Sequence, residues 1–299
     1  MTRRFLLIGG LLRSIAVMPA CRLPGREGPV PAALAQSRQY SQEGVVAMEQ
    51  GCAEQARELL AKAVQTCPED PEARRDYAEA LWKCDHRDKA IAELEQAVAM
   101  SPKDARLRVR MARMRLALGQ IDQARGDVDA AMDMDPELGD AWAMRARVLR
   151  ASGNAQAALA DYHRALQYSP NHRDVLLETA ELYRQLNQPE KALAVLHRLI
   201  DTYGPDEEPR EAIYLEGLAY AALGRYDQAA ERYSTALARG EPTPEMLYQL
   251  AVVRQRAGQP REATAAAEAA LRLNPDHLPC RQLIEQLGVA HPPTGSIRR

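Results

Sequence analysis

The chain has 299 residues, room for two ordinary domains or one long array, and its formal net charge of −2 gives no electrostatic case for nucleic acid or an anionic membrane as partner. Hydrophobic residues are 46% of it, yet there is one Phe and two Trp, so the apolar mass is mostly Ala and Leu, a mixture that suits many short helices packed closely. Beyond the first 20 residues no run is long and apolar enough to span a bilayer.

The first element is a leader. "MTRRFLLIGGLLRSIAVMPAC" carries two Arg, an apolar run from Phe5 to Leu12 and a small residue before Cys21. It resembles a secretory signal ending in a lipoprotein cleavage box, which implies lipid attachment at Cys21 and a protein held at, or exported across, the cell envelope. Arg13 interrupts the apolar region, Met18 stands where Leu is usual, and Pro19 adjoins the scissile bond. An ordinary cleavage site at "ALA", residues 33–35, and an untargeted cytoplasmic chain are the alternatives. Residues 22–36 have no periodic apolar face and read as a flexible tether.

From Ser37 the sequence repeats. Prolines 68, 102, 136 and 170 are evenly spaced, and repeats begin at Ser37, Pro71, Ala105, Gly139, Arg173, Arg210 and Pro244. The twentieth residue of each is Ala56, Ala90, Ala124, Ala158, Ala192, Ala229 and Ala263. The eighth is Gly or Ala throughout, and the twenty-seventh is Ala except at Leu199. Small residues there let two helices approach backbone to backbone. The fifteenth residue is Gly51, Asp85, Gly119, Gly153, Asn187, Gly224 or Gly258, the types that tolerate the left-handed backbone of a tight turn. Tyr77, Leu81, Trp142, Tyr183, Tyr220 and Leu247 recur at helical spacing as packing residues.

This pattern resembles the tetratricopeptide repeat family over residues 37–277, in seven helix-turn-helix units. The resemblance implies an all-α solenoid, a right-handed superhelix with the first helix of each repeat lining a concave face. Repeats one to five fill residues 37–206 and repeats six and seven residues 207–277. A capping helix over residues 278–288 then covers the last repeat, and residues 289–299 form a disordered tail. The resemblance also places positions 2, 5, 6, 9 and 12 of each repeat in a binding groove. There Arg75, Arg106, Arg110, Arg113, Arg147 and Arg150 make a basic stretch, and Tyr214, Leu215, Leu218, Tyr248 and Val252 an apolar one. An acidic peptide with an adjacent apolar segment would complement them. The alternatives are arginines paired with neighbouring carboxylates, and a Tyr/Leu patch that meets a terminal segment or a second copy of the chain.

Chemistry is expected to be absent. The six histidines form no HExxH, the cysteines no CxxC, and there is neither a G-x-S-x-G nor a Walker loop, so no catalytic residue, metal or cofactor is predicted. Cys52, Cys67, Cys84 and Cys280 read as small buried residues near helix ends. Lys and Asn are missing from the groove places at which some members of the family clamp a peptide carboxylate. The chain reads as a non-catalytic scaffold for protein or peptide partners, resembling envelope lipoproteins of this repeat type. A soluble adaptor, or a regulatory subunit of an envelope polysaccharide enzyme, is the rival reading. "DTYGPDEEPRE", residues 201–211, inserts three residues into the rhythm; about one helical turn, it is expected to lengthen the preceding helix and mark a seam between the charged and apolar faces.

Overall fold

The structure, a computed structural model, describes residues 31–204 and 206–290. Cys21, most of the expected tether and the tail from 291 onward lie outside the described residues. The described residues form fifteen α-helices and no strand, arranged as seven hairpins and a final helix. The hairpins are α1 (Ala32–Glu49) with α2 (Ala53–Thr66), α3 (Pro71–Lys83) with α4 (Arg87–Met100), and α5 (Ala105–Ala117) with α6 (Ile121–Met134). Next come α7 (Gly139–Ala151) with α8 (Ala155–Tyr168) and α9 (Arg173–Gln185) with α10 (Pro189–Ile200). The last are α11 (Arg210–Ala222) with α12 (Tyr226–Ala238) and α13 (Pro244–Arg256) with α14 (Pro260–Leu273), followed by α15 (Leu278–Ala290). The chain divides into two compact bodies, one ending at Met111 and the other beginning at Ala112.

Each hairpin is closed by the same backbone device. The fifteenth residue of every repeat has φ between +54° and +79°, Asp85 and Asn187 included. This swings the next amide back, so the sixteenth residue's N–H donates to the eleventh residue's carbonyl at 2.9 Å, as in His86 to Leu81 and Gln188 to Tyr183. A carbonyl left over at the end of the first helix is thereby satisfied. Several first helices also start on a side-chain cap: Asp70 accepts from the Glu72 amide with Pro71 at the first position, and Thr243 accepts from Met246 with Pro244 likewise.

The recurring alanines form the contact between paired helices. All seven at position 20 are at most 1% exposed, and the small residues at position 8 are equally buried. At Gly217 even a methyl group is excluded, because a Cβ would lie 2.5 Å from the Tyr233 ring; Gly44 stands in the same relation to Leu60, at 2.6 Å. In the body that begins at Ala112, Tyr162, Leu176, Tyr183, Leu196, Tyr220 and Tyr233 join one core. A second cluster there packs Leu247, Ala251 and Ala267 against Cys280, Leu283 and Leu287 of α15. In the other body Ala47, Ala56, Leu60 and Ala80 pack together.

Three expectations need correction. The segment expected as a tether is helical from Ala32, because Leu34 buries itself (1% exposed) against Cys67. The three inserted residues do not lengthen α10, which stops at Ile200 and is the shortest helix described. They form a loop instead, fixed by Asp206 at φ 65° and by Arg239, which donates to the carbonyls of Asp206 (2.9 Å) and Glu208 (2.7 Å) and pairs with the Glu208 carboxylate at 2.6 Å. Of the cysteines, Cys67 and Cys280 are buried, Cys84 is half-buried, and Cys52 is exposed.

Candidate functional site: the open face of the first helices

In a hairpin the first helix gives one side to its partner helix. Positions 8 and 11 are on that side, so positions 2, 5, 6, 9 and 12 lie elsewhere on the cylinder. The structure leaves most of these only partly covered. In the body beginning at Ala112, Leu177, Tyr214, Leu218, Tyr248 and Val252 are half-buried, and Arg113, Arg150 and Arg184 are exposed. Leu215 departs from the expectation: at 7% exposed it belongs to the core and offers a ligand little surface.

Several of the expected groove arginines are already engaged by carboxylates one repeat or one residue away. Arg75 donates to Asp76 at 2.9 Å and Arg110 to Glu79 at 2.8 Å. Arg147 Nε lies 2.9 and 3.0 Å from the two oxygens of Glu178, which also accepts from the Tyr162 hydroxyl at 2.6 Å. Arg184, further along, grips Glu181 through two bonds of 2.7 and 2.8 Å. That hydrogen bonding holds the Glu181 carboxyl below its ordinary range. Arg106 is exposed, as are Arg113 and Arg150, and Arg150 has no ion-pair partner among the described residues. The arginine stretch is therefore in large part a belt of charge pairs, with Arg150 left outward.

The apolar stretch is aromatic rather than aliphatic. Tyr214 tilts against Tyr233 with ring centroids 5.5 Å apart, and Tyr248 packs on His277 at the same separation. The Tyr233 hydroxyl is shut off from solvent and has no hydrogen-bond partner among the described residues. Burial, reinforced by Tyr214 and Glu245, pushes that phenol's pKa well above its usual value.

The groove of the first repeat was missing from the sequence reading, although the same register points to it. Positions 2, 5, 6 and 9 of that repeat are Arg38, Ser41, Gln42 and Val45, and all four line a cavity of about 530 Å³. Glu72 and Asp76, positions 2 and 6 of the second repeat, face them from α3. Reading out only the arginines left these carboxylates unremarked.

Hairpins closed by one turn, sealed by small residues at fixed places and open along the first helices, define a helical-repeat solenoid. The chain belongs to the tetratricopeptide repeat family: models of the tetratricopeptide repeat match residues 47–97, 86–148, 149–213 and 214–277. No curated protein matches the sequence. Solved structures share the fold at low identity. YrrB, a TPR protein with an unusual peptide-binding site, is 19% identical with a TM-score of 0.58, over 64% of this chain and 97% of its own. A tetratricopeptide repeat protein from Parabacteroides merdae is 14% identical with a TM-score of 0.55, over 85% of this chain and 99% of its own. A chain of the APC/C hetero-tetramer Cut9–Hcn1 is 15% identical with a TM-score of 0.50, over 84% of this chain and 43% of its own.

Proposed function

We propose that this chain is a non-catalytic adaptor that holds a peptide or partner protein on the open face of its first helices. The observation that carries this reading is the half-covered state of Leu177, Tyr214, Leu218, Tyr248 and Val252. Each contributes to a core from its edge while keeping surface outward. Tyr presents rigid contact area at small entropic cost, and half-buried aromatic residues beside outward arginines are the composition of interface hot spots. The fold likeness to YrrB, a TPR protein with a peptide-binding site, supports the same reading.

The test is affinity capture of partners from an extract of the source cells, with substitution on two surfaces. Leu218→Asp combined with Arg150→Glu should reduce recovery of the wild-type partners by about tenfold or more, the effect of losing one or two hot-spot contacts. Glu190→Lys combined with Glu231→Lys, at exposed sites on the second helices α10 and α12, should leave recovery unchanged. Equal recovery with all three proteins would overturn the assignment of the face.

A further inference from the structure

The open face of the last two repeats differs in sign as well as in polarity from the arginine stretch before it. Positions 2, 5, 6, 9 and 12 are Glu211, Tyr214, Leu215, Leu218 and Ala221 in the sixth repeat, and Glu245, Tyr248, Gln249, Val252 and Gln255 in the seventh. No Lys or Arg stands among them. Tyr214, Leu218, Tyr248 and Val252 are half-buried and make an apolar strip across α11 and α13. Each of these helices carries a glutamate in its first turn, Glu211 and Glu245. Glu211 is exposed, and Glu245, 59% exposed, accepts a hydrogen bond from Gln249 at 2.7 Å. Arg184, the groove cation of the fifth repeat, is already gripped by Glu181.

The chain carries a segment of matching chemistry next to this face. Residues 291–299, "HPPTGSIRR", lie outside the described residues and follow directly on α15. Leu287, in the last turn of α15, packs in the same cluster that has Tyr248 and Val252 at its edge. The segment therefore starts within one helical turn of the strip. Fully extended, it reaches about 30 Å, enough to cross α13 and α11 at interaxial spacings of about 10 Å. Its composition is the complement of the face. Pro292 and Pro293 favour the extended polyproline conformation that docks on aromatic-lined grooves. Ile297 is its one aliphatic side chain, Arg298 and Arg299 are its cations, and it has no carboxylate side chain. We propose that residues 291–299 fold back over the first-helix face of repeats six and seven, with the prolines on Tyr248 and Val252 and the arginines toward Glu211. Attachment makes even weak contacts count. A tether this short gives an effective concentration on the order of 1 mM, so a contact with a Kd of about 0.1 mM would be about 90% closed. The tail thus acts as an internal competitor for the face. That competition rests on the adaptor reading, whereas the docking itself does not.

The test uses the full chain alone, with benzoylphenylalanine in place of Tyr248 and, as a control, in place of Glu231 on the second helix α12. Irradiation of the first protein should give an internally cross-linked monomer in which mass spectrometry finds residue 248 joined to residues 291–299. The control should give no such product. Ile297→Asp with Arg298→Glu and Arg299→Glu should lower the yield by about fivefold or more, the loss of two or three contacts worth about tenfold each being partly masked by tethering. The same triple substitution without the photoprobe should raise recovery of captured partners. Cross-links from residue 248 only to other segments, only to a second copy of the chain, or in a yield unmoved by the triple substitution would overturn the docking. Loss of partner capture in the Leu218→Asp, Arg150→Glu protein would still uphold the adaptor reading in that event. Docking with unchanged capture would overturn the competition alone.

Discussion

Position 24 of the repeat shows at residue scale how neighbours decide what a side chain contributes. Tyr162 and Tyr233 hold this place in the fourth and sixth repeats, each fully buried. The Tyr162 hydroxyl donates to Glu178 at 2.6 Å, whereas the Tyr233 hydroxyl has no partner and its ring fills the space that Gly217 leaves open. Removing a hydroxyl bonded to a carboxylate loses a charge-assisted bond; removing an orphaned one relieves an unpaid desolvation. Tyr162→Phe should therefore cost about 1–3 kcal/mol, and Tyr233→Phe should fall within about 0.5 kcal/mol of the wild type or stabilise it. Urea denaturation of the two variants measures this, and equal losses would refute the assignment. The small residues beneath these rings were legible in the sequence because their spacing is constant. The hydroxyl partners were not, because they depend on which side chain the next repeat presents.

At the scale of the hairpin, position 23 carries a set of ion pairs that no local motif announces. Glu93 is bound by Arg74 at 2.6 Å, Asp127 by Arg115 at 2.6 Å and Asp161 by Arg145 at 2.7 Å. In the sixth repeat the signs reverse: Arg232 occupies position 23, and the buried carboxylate is Glu216 on α11, 1% exposed. Arg232 Nε is 3.5 Å away and His197 Nε2 3.2 Å. Burial, with Glu208 acting in the same direction, outweighs the opposing effect of Arg232 and His197 and raises the Glu216 pKa above its ordinary 4.5. A carboxyl whose folded pKa exceeds its unfolded pKa binds more protons when folded, so its contribution to stability falls as pH rises through the folded value. Glu216→Gln should thus raise the melting temperature at pH 7, and the gain should shrink as the pH approaches 4.5. Thermal melts across that range check it; a gain that is constant with pH, or a loss at pH 7, would contradict it. The loop at 201–209 teaches the same lesson about distance. Helical periodicity permitted a longer α10, but Arg239 lies some thirty positions downstream, and only the fold brings its guanidinium to the loop carbonyls.

Across the whole molecule, the sequence was most informative where one residue type serves the same purpose in every repeat. The alanines, the left-handed turns and the final helix that closes the last cluster follow from packing and backbone sterics, which recur with the period. The open face of the first helices was legible in position but not in character. Positions 2, 5, 6, 9 and 12 do remain partly open, yet Arg75, Arg110 and Arg147 engage carboxylates that the register alone did not pair with them, and Leu215 turns into the core. The first repeat went the other way. Its groove residues were ordinary in sequence, and only the fold shows that Arg38, Ser41, Gln42 and Val45 line one cavity with Glu72 and Asp76. The central claim is that partners sit on the first-helix face. Photo-cross-linking tests it most directly: benzoylphenylalanine placed in turn at Leu218 and Val252 on first helices, and at Gln167, Glu190 and Glu231 on second helices, is irradiated with captured partner bound. The account predicts cross-links from Leu218 and Val252 and none from the second-helix sites; cross-links confined to Gln167, Glu190 and Glu231 would contradict it.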